Sequence, residues 1–259
     1  MKKLMERILE KGKAVIIPMD HGASEGPIDG LKDMDAIVKK VEKDATAVLL
    51  HKGMVKALNS KPSCGVILHG SASTKVALDP NHKVQVATPE EAVRMGCQGF
   101  SLHINVGGSE HEQEMLAALA KAAEECDRLG LPLLAMMYPR GKNIEKVTPE
   151  SIALVARVGA ELGVDIVKCP YSGDVESFKT VVKGCPVPVV IAGGAKSNSD
   201  RDVLDMVAGA MEAGAAGVSL GRNVFQHKHP DRMVHALHEI ILNNRSLEEV
   251  LQILQQDGG

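Results

Sequence analysis

Short apolar runs alternate with longer amphipathic stretches along this whole chain, and that alternation leaves few folds open. The runs at 14–20, 47–51, 65–69, 99–105, 132–138, 165–169, 188–192 and 217–220 have the length and near-continuous apolarity of buried strands. Between them apolar residues recur at spacings of three and four. These predict helices over 34–42, 88–95, 110–129, 149–162, 175–182, 201–212 and 231–242, with a last one over 246–256 and a frayed tail at 257–259. Thr88 and Thr148 stand as N-caps, each followed by proline at the first helical position. The stretch 53–62 carries no clear period. Strands apolar on both faces, each followed by a helix, require a parallel sheet covered by helices. Eight such units in 259 residues predict a single (β/α)8 TIM barrel spanning 1–259, with an open doubly wound sheet as the alternative. The first strand is not followed by Gly-x-Gly-x-x-Gly, which counts against the open dinucleotide-binding sheet.

A net charge of −3 with interspersed signs provides no basic stripe for nucleic acid. No apolar run approaches the roughly 20 residues that cross a bilayer. Met1 to Arg7 mixes charged and apolar residues and lacks the apolar stretch of a secretion signal. The 5 cysteines, Cys64, Cys97, Cys126, Cys169 and Cys185, are scattered without a Cys-x-x-Cys pair, so a reducing cytoplasm is expected.

In such a barrel chemistry gathers at the C-terminal strand ends. Strand six carries Lys168 near its end, where burial disfavours an ammonium and leaves an amine able to form a Schiff base. The alternative is a lysine that snorkels to water or pairs with Asp165. Other strand ends are equally loaded: Asp20-His21-Gly22 after strand one, His103 and Asn105 on strand four, Tyr138-Pro139-Arg140 on strand five. Asp20, Tyr138 and Lys168 make a workable set of proton shuttle, proton donor and nucleophile. Gly193-Gly194 after strand seven and Gly221-Arg222 after strand eight occupy the usual phosphate-binding loops of barrels. His21, His51, His69 and His103 all lie near strand ends, which raises a metal-dependent alternative with His21, His69 and His103 as ligands. They show no short metal-ligand spacing, so no metal and no cofactor is expected.

Taken together, Ile17-Pro18-Met19-Asp20-His21-Gly22, Met136-Met137-Tyr138-Pro139-Arg140-Gly141, Ile166-Val167-Lys168, Val190-Ile191-Ala192-Gly193-Gly194 and the Gly221-to-Gln226 run resemble the archaeal-type class I aldolase family. The resemblance implies a (β/α)8 barrel, a Schiff base on Lys168, and proton transfer by Tyr138 with Asp20 assisting. It implies sugar-phosphate contacts at Asp20, His21, Gly22, Ala23, Ser24, Tyr138, Pro139, Arg140, Lys168, Gly193, Gly194, Gly221 and Arg222. The run Asp20-His21-Gly22-Ala23-Ser24, in place of Asp-Gln-Gly, is similar to the branch whose members condense rather than degrade. For that branch the resemblance implies 6-deoxy-5-ketofructose 1-phosphate as donor, L-aspartate semialdehyde as acceptor, and a product leading to 3-dehydroquinate and aromatic amino acids. Fructose-bisphosphate aldolase is the nearest rival, and a non-catalytic sugar-phosphate-binding barrel is the second. A homo-oligomer, a decamer of two stacked pentameric rings, is also implied. The chain departs from the family at Cys169-Pro170-Tyr171, beside the loop that reads the acceptor.

Overall fold

A computed structural model describes residues 2–197 and 199–255, apart from the side chains of Lys2 and Gln255. Its strands are β1 (Ala14–Pro18), β2 (Ala47–His51), β3 (Gly65–His69), β4 (Ser71–Ala72), β5 (Val84–Gln85), β6 (Gly99–Val106), β7 (Leu133–Pro139), β8 (Ile166–Pro170), β9 (Val189–Ala192) and β10 (Gly217–Ser219). Eight of them close a parallel barrel in the order β1-β10-β9-β8-β7-β6-β3-β2, and β4 and β5 form a separate antiparallel hairpin. The alternation of the sequence is therefore that of a (β/α)8 barrel.

Each barrel strand is buried on both faces, and its side chains alternate between two cores. Ala14, Ile16, Ala47, Leu49, Ile67, Leu134, Met136, Ile166 and Val190 fill the barrel lumen. Val15, Ile17, Val48, Leu50, Val66, Leu68, Val167, Cys169 and Ile191 face outward beneath the helices. The same parity carried upward places Asp20, His51, His69, His103, Tyr138 and Lys168 in the lumen above its apolar layers. A polar tier thus sits on an apolar plug.

The observed elements extend or trim the expected ones by one or two residues. β8 runs on to Pro170, so Lys168 is its middle residue rather than near its end, level with Met136 and Val190. Proline ends the strand because it cannot donate a further ladder bond. The helix expected from 201 begins at Asp200 and is capped by Ser199. The ambiguous 53–62 stretch holds a short helix, Lys52–Ala57. The β4–β5 hairpin and the short helices Gly22–Glu25 and Arg222–Phe225 were not anticipated, being too brief to show a period. The 257–259 tail lies outside the described residues. Among the described residues no helix is long and apolar enough to cross a membrane.

Candidate active site

The polar tier opens into a cavity of about 260 Å³ lined by Asp20, His21, Ser24, Lys83, His103, Tyr138, Arg140, Lys168, Gly193, Gly194, Ser219, Gly221 and Arg222, among others. Lys168 is only 6% exposed. Burial disfavours its ammonium, Asp20 partly restores it and Arg140 opposes it, with the result that its pKa falls to about 8. Asp165 is not its partner. That carboxylate accepts a hydrogen bond from Leu133 N at 2.8 Å, beneath the start of β8.

Asp20 would be raised by burial, but His69, His21 and Lys168 outweigh this and hold it well below the usual carboxylate range. His69 Nε2 stands 3.6 Å from Asp20 Oδ2 and His21 Nδ1 stands 3.7 Å from Oδ1. His69 is itself fixed by a 2.7 Å hydrogen bond shared with Ser101 Oγ, and its ring meets that of His51 edge-on at 5.0 Å. Burial drives His69 down to about 4, so it faces Asp20 as a neutral imidazole at neutral pH. Burial also lowers His21, His51 and His103. The carboxylate's cationic counterpart at neutral pH is therefore Lys168.

Tyr138 lies on β7 two residues beyond Met136, which is level with Lys168. Burial pushes its phenol up to about 12, against the pull of Arg140. The Arg140 guanidinium covers its ring at 4.3 Å, and the His103 ring lies 4.9 Å away. At neutral pH the phenol keeps its proton.

The loops after β9 and β10 are stitched together on the other side of the cavity. Asn223 Nδ2 donates to Gly193 O at 3.1 Å, Ser197 N donates to Asn223 Oδ1 at 2.8 Å, and Arg222 Nη2 donates to Gly194 O at 3.3 Å. Gly194 has φ +66°, a left-handed turn that favours glycine. A Cβ on Gly221 would lie 2.7 Å from His21 Cε1 and 3.0 Å from Pro18 O, so only glycine lets this loop close on β1. His21 Nδ1, Ser219 Oγ and Arg222 Nε are buried without a hydrogen-bond partner among the described residues, and all three residues line this cavity. Buried polar groups are rarely left so, and this trio is arranged for a polar ligand.

Most of the residues expected from sequence thus meet in one place. Gly22 and Ala23 do not line the cavity; they form the short helix that presents Ser24 and Glu25 to it. Pro139 lines an adjoining cavity of about 710 Å³ that shares Tyr138, Arg140, Gly193 and Gly194 and adds Pro170, Tyr171, Asp202 and Asp205. Lys83 and Ser219 were missed. Lys83 comes from the β4–β5 hairpin loop, whose place beside β6 no local pattern reveals. The strand-end histidines do not form a metal-ligand cluster. Among the described residues the group with that geometry is His82, His111 and Glu114, which the sequence reading did not single out.

The DeoC/LacD family aldolase profile matches residues 14–227. This chain belongs to that aldolase family. It is 44% identical over 253 residues to 2-amino-3,7-dideoxy-D-threo-hept-6-ulosonate synthase 1 of Archaeoglobus fulgidus, covering 97% of this chain and 94% of the relative. It is 40% identical to 2-amino-4,5-dihydroxy-6-oxo-7-(phosphonooxy)heptanoate synthase of Streptomyces griseus, covering 88% and 85%. An archaeal fructose-1,6-bisphosphate aldolase, solved with its catalytic lysine covalently bound to the carbinolamine intermediate of the substrate, superposes with a TM-score of 0.86 at 31% identity, covering 92% of this chain and 98% of that one. The residues matched by the family profile, 14–227, include all eight barrel strands.

Proposed function

We propose that this aldolase is a 2-amino-3,7-dideoxy-D-threo-hept-6-ulosonate synthase working through a Schiff base on Lys168. The observation that carries the reading is a buried amine with its pKa drawn down to about 8, in one cavity with a carboxylate and a protonated phenol. The neutral amine adds to the ketone of 6-deoxy-5-ketofructose 1-phosphate, and the carbinolamine loses water to give an iminium. The iminium accepts the electron pair of the adjacent carbon–carbon bond as that bond breaks. Hydroxypyruvaldehyde phosphate leaves, and a three-carbon enamine stays on the lysine.

The Asp20 carboxylate accepts the protons released in these steps. The Tyr138 phenol donates to the alkoxide formed when the enamine adds to L-aspartate semialdehyde. Water then hydrolyses the new iminium and frees the lysine. Gly193, Gly194, Gly221 and Arg222 hold the phosphate. The adjoining cavity suits an amino-acid aldehyde, with Arg140 for its carboxylate and Asp202 and Asp205 for its ammonium. The 44% relative's name describes the same seven-carbon amino-keto acid.

Borohydride reduction with the donor should leave a three-carbon adduct on the Lys168 peptide, and adding L-aspartate semialdehyde should release the seven-carbon product. Cleavage of fructose 1,6-bisphosphate without that condensation would move the assignment to fructose-bisphosphate aldolase. No adduct with either ketone would leave a sugar-phosphate-binding barrel. The free buried thiols support a reducing cytoplasm as its location. Exposed Val76, Leu78, Val84 and Val86 around the β4–β5 hairpin support a homo-oligomer, to be weighed by light scattering against a decamer.

A further inference from the structure

Resting on the Schiff-base reading above, we propose that Lys83 and Arg140 form a two-cation clamp for the carboxylate of the acceptor aldehyde. Lys83 thereby sets the preference for an aldehyde that bears a carboxylate over one that does not. Both side chains line the Lys168 cavity. Among the described residues neither is held in an ion pair with a carboxylate. The Arg140 guanidinium lies 4.3 Å over the Tyr138 ring, and that ring is 4.9 Å from the ring of His103. Burial keeps the His103 imidazole neutral, with the charges of Lys83 and Arg140 next in weight. Two cations therefore converge beside one buried, uncharged ring.

Lys83 is fixed by its hairpin rather than left to swing. β4 pairs with β5 through Ser71↔Gln85 and Ala72↔Val84, which brings Ser73 and Lys83 opposite each other. Lys83 Nζ donates to Ser73 Oγ at 3.2 Å and to Pro80 O at 2.8 Å. An ammonium has three N–H groups, so one remains for a ligand. The hairpin is in turn tied to β6: His103 N donates to Ser71 Oγ at 2.9 Å, and Asn105 Nδ2 donates to Asn81 O at 2.7 Å. Burial disfavours the Lys83 ammonium and Arg140 adds to this, so an anion bound between them relieves both cations.

The place and the donors favour a carboxylate. In the barrel order β8, with Lys168, stands between the β6–β7 pair and the β9–β10 pair. The candidate phosphate loops follow β9 and β10, so the clamp lies across the nucleophile from them. The glycine amides that follow β6 are already taken: Gly107 N and Gly108 N donate to Glu112 Oε2 at 2.8 Å and 2.7 Å. This side therefore offers side-chain cations without the free glycine amides of a phosphate loop. A guanidinium fork with a second point charge suits the two oxygens of a carboxylate.

The test compares Lys83→Met and Lys83→Arg with the parent chain, using L-aspartate semialdehyde and 3-aminopropanal, the same aldehyde without its carboxylate. In Lys83→Met the KM for L-aspartate semialdehyde should rise roughly ten- to a hundredfold, as for one lost charge-assisted contact. The KM for 3-aminopropanal and borohydride trapping of the donor should keep their parental values, and Lys83→Arg should restore most of the loss. Acetylation of Lys83, followed by peptide mass spectrometry, gives a readout apart from turnover: butyrate should slow it and butanol should not. Equal losses for both aldehydes, a raised KM for the donor with the acceptor unchanged, or acetylation indifferent to butyrate overturns the clamp. A parent chain that gives no donor adduct overturns the Schiff-base reading instead, and protection by butyrate then decides on its own whether Lys83 binds a carboxylate.

Discussion

Asp20 Oδ2 faces His69 Nε2 across 3.6 Å, and His69 is in turn held by Ser101 at 2.7 Å. Asp20 follows the end of β1, His69 and Ser101 lie on β3 and β6, and the register that pairs His69 with Ser101 fixes the chain of contacts. With His69 neutral, the carboxylate is oriented without being neutralised, and it keeps its charge beside Lys168.

Asp20→Asn separates that role from imine formation. Asp20 raises the pKa of Lys168, so the amide variant should lower it further and leave more amine free at pH 7. Borohydride adduct formation should survive, while kcat falls roughly 10²–10⁴-fold for want of the base. Steady-state rates beside adduct mass spectra check this. An unchanged kcat would remove Asp20 from proton transfer.

Lys168 itself should show its ionisation directly. Imine formation needs the neutral amine, so reaction of Lys168 with a neutral acylating reagent should quicken as pH rises through about 8, followed by peptide mass spectrometry. Arg140 pushes this pKa down, so Arg140→Ala should move the inflection upward. The folded pKa lies below the ordinary 10.5, so the buried amine costs stability below pH 8 and the cost fades as pH climbs toward 10.5. Lys168→Met should therefore raise stability by about 1–3 kcal/mol at pH 7, part of the gain being offset by the cation lost to Asp20. Denaturant melts at two pH values measure it, and turnover should vanish.

The sequence carried the barrel because short continuous apolar runs and helical spacing are local signals, and eight of each leave little choice. It placed Lys168, Tyr138 and Asp20 at the same end of the barrel, where the structure brings all three into one cavity, because polar residues there break the apolar pattern. It did not carry Lys83, since a hairpin of two-residue strands has no period to read. Nor did it reveal that His69 stands behind Asp20, which depends on strand stagger between β1 and β3. His82 and His111 sit in loops far apart in the chain, and only the fold stacks them.

Tyr138→Phe removes a proton donor and little else. The ring keeps its place under Arg140, and the phenol, pushed up to about 12, was never a charge that the fold relied on at neutral pH. We expect the Lys168 adduct to form normally and condensation with the aldehyde to slow about 10²–10⁴-fold. Single-turnover measurements distinguish the steps. A loss of adduct equal to the loss of turnover would assign Tyr138 to carbinolamine dehydration instead.

Arg222 and Gly221 give the test of the phosphate side. The Arg222 Nε is buried without a hydrogen-bond partner among the described residues, while its Nη2 is tied to Gly194 O at 3.3 Å, so the guanidinium is held in place with a donor to spare. Arg222→Ala should cost about 1.5–3 kcal/mol of binding to a phosphorylated donor, a KM rise of roughly ten- to a hundredfold, with kcat much less affected. An unphosphorylated analogue should be nearly indifferent. Gly221→Ala should hurt both donors, because its Cβ would press on His21 Cε1 at 2.7 Å and spread the β1 and β10 loops apart. If Arg222→Ala weakens both donors equally, the arginine serves the loop and the phosphate is held elsewhere.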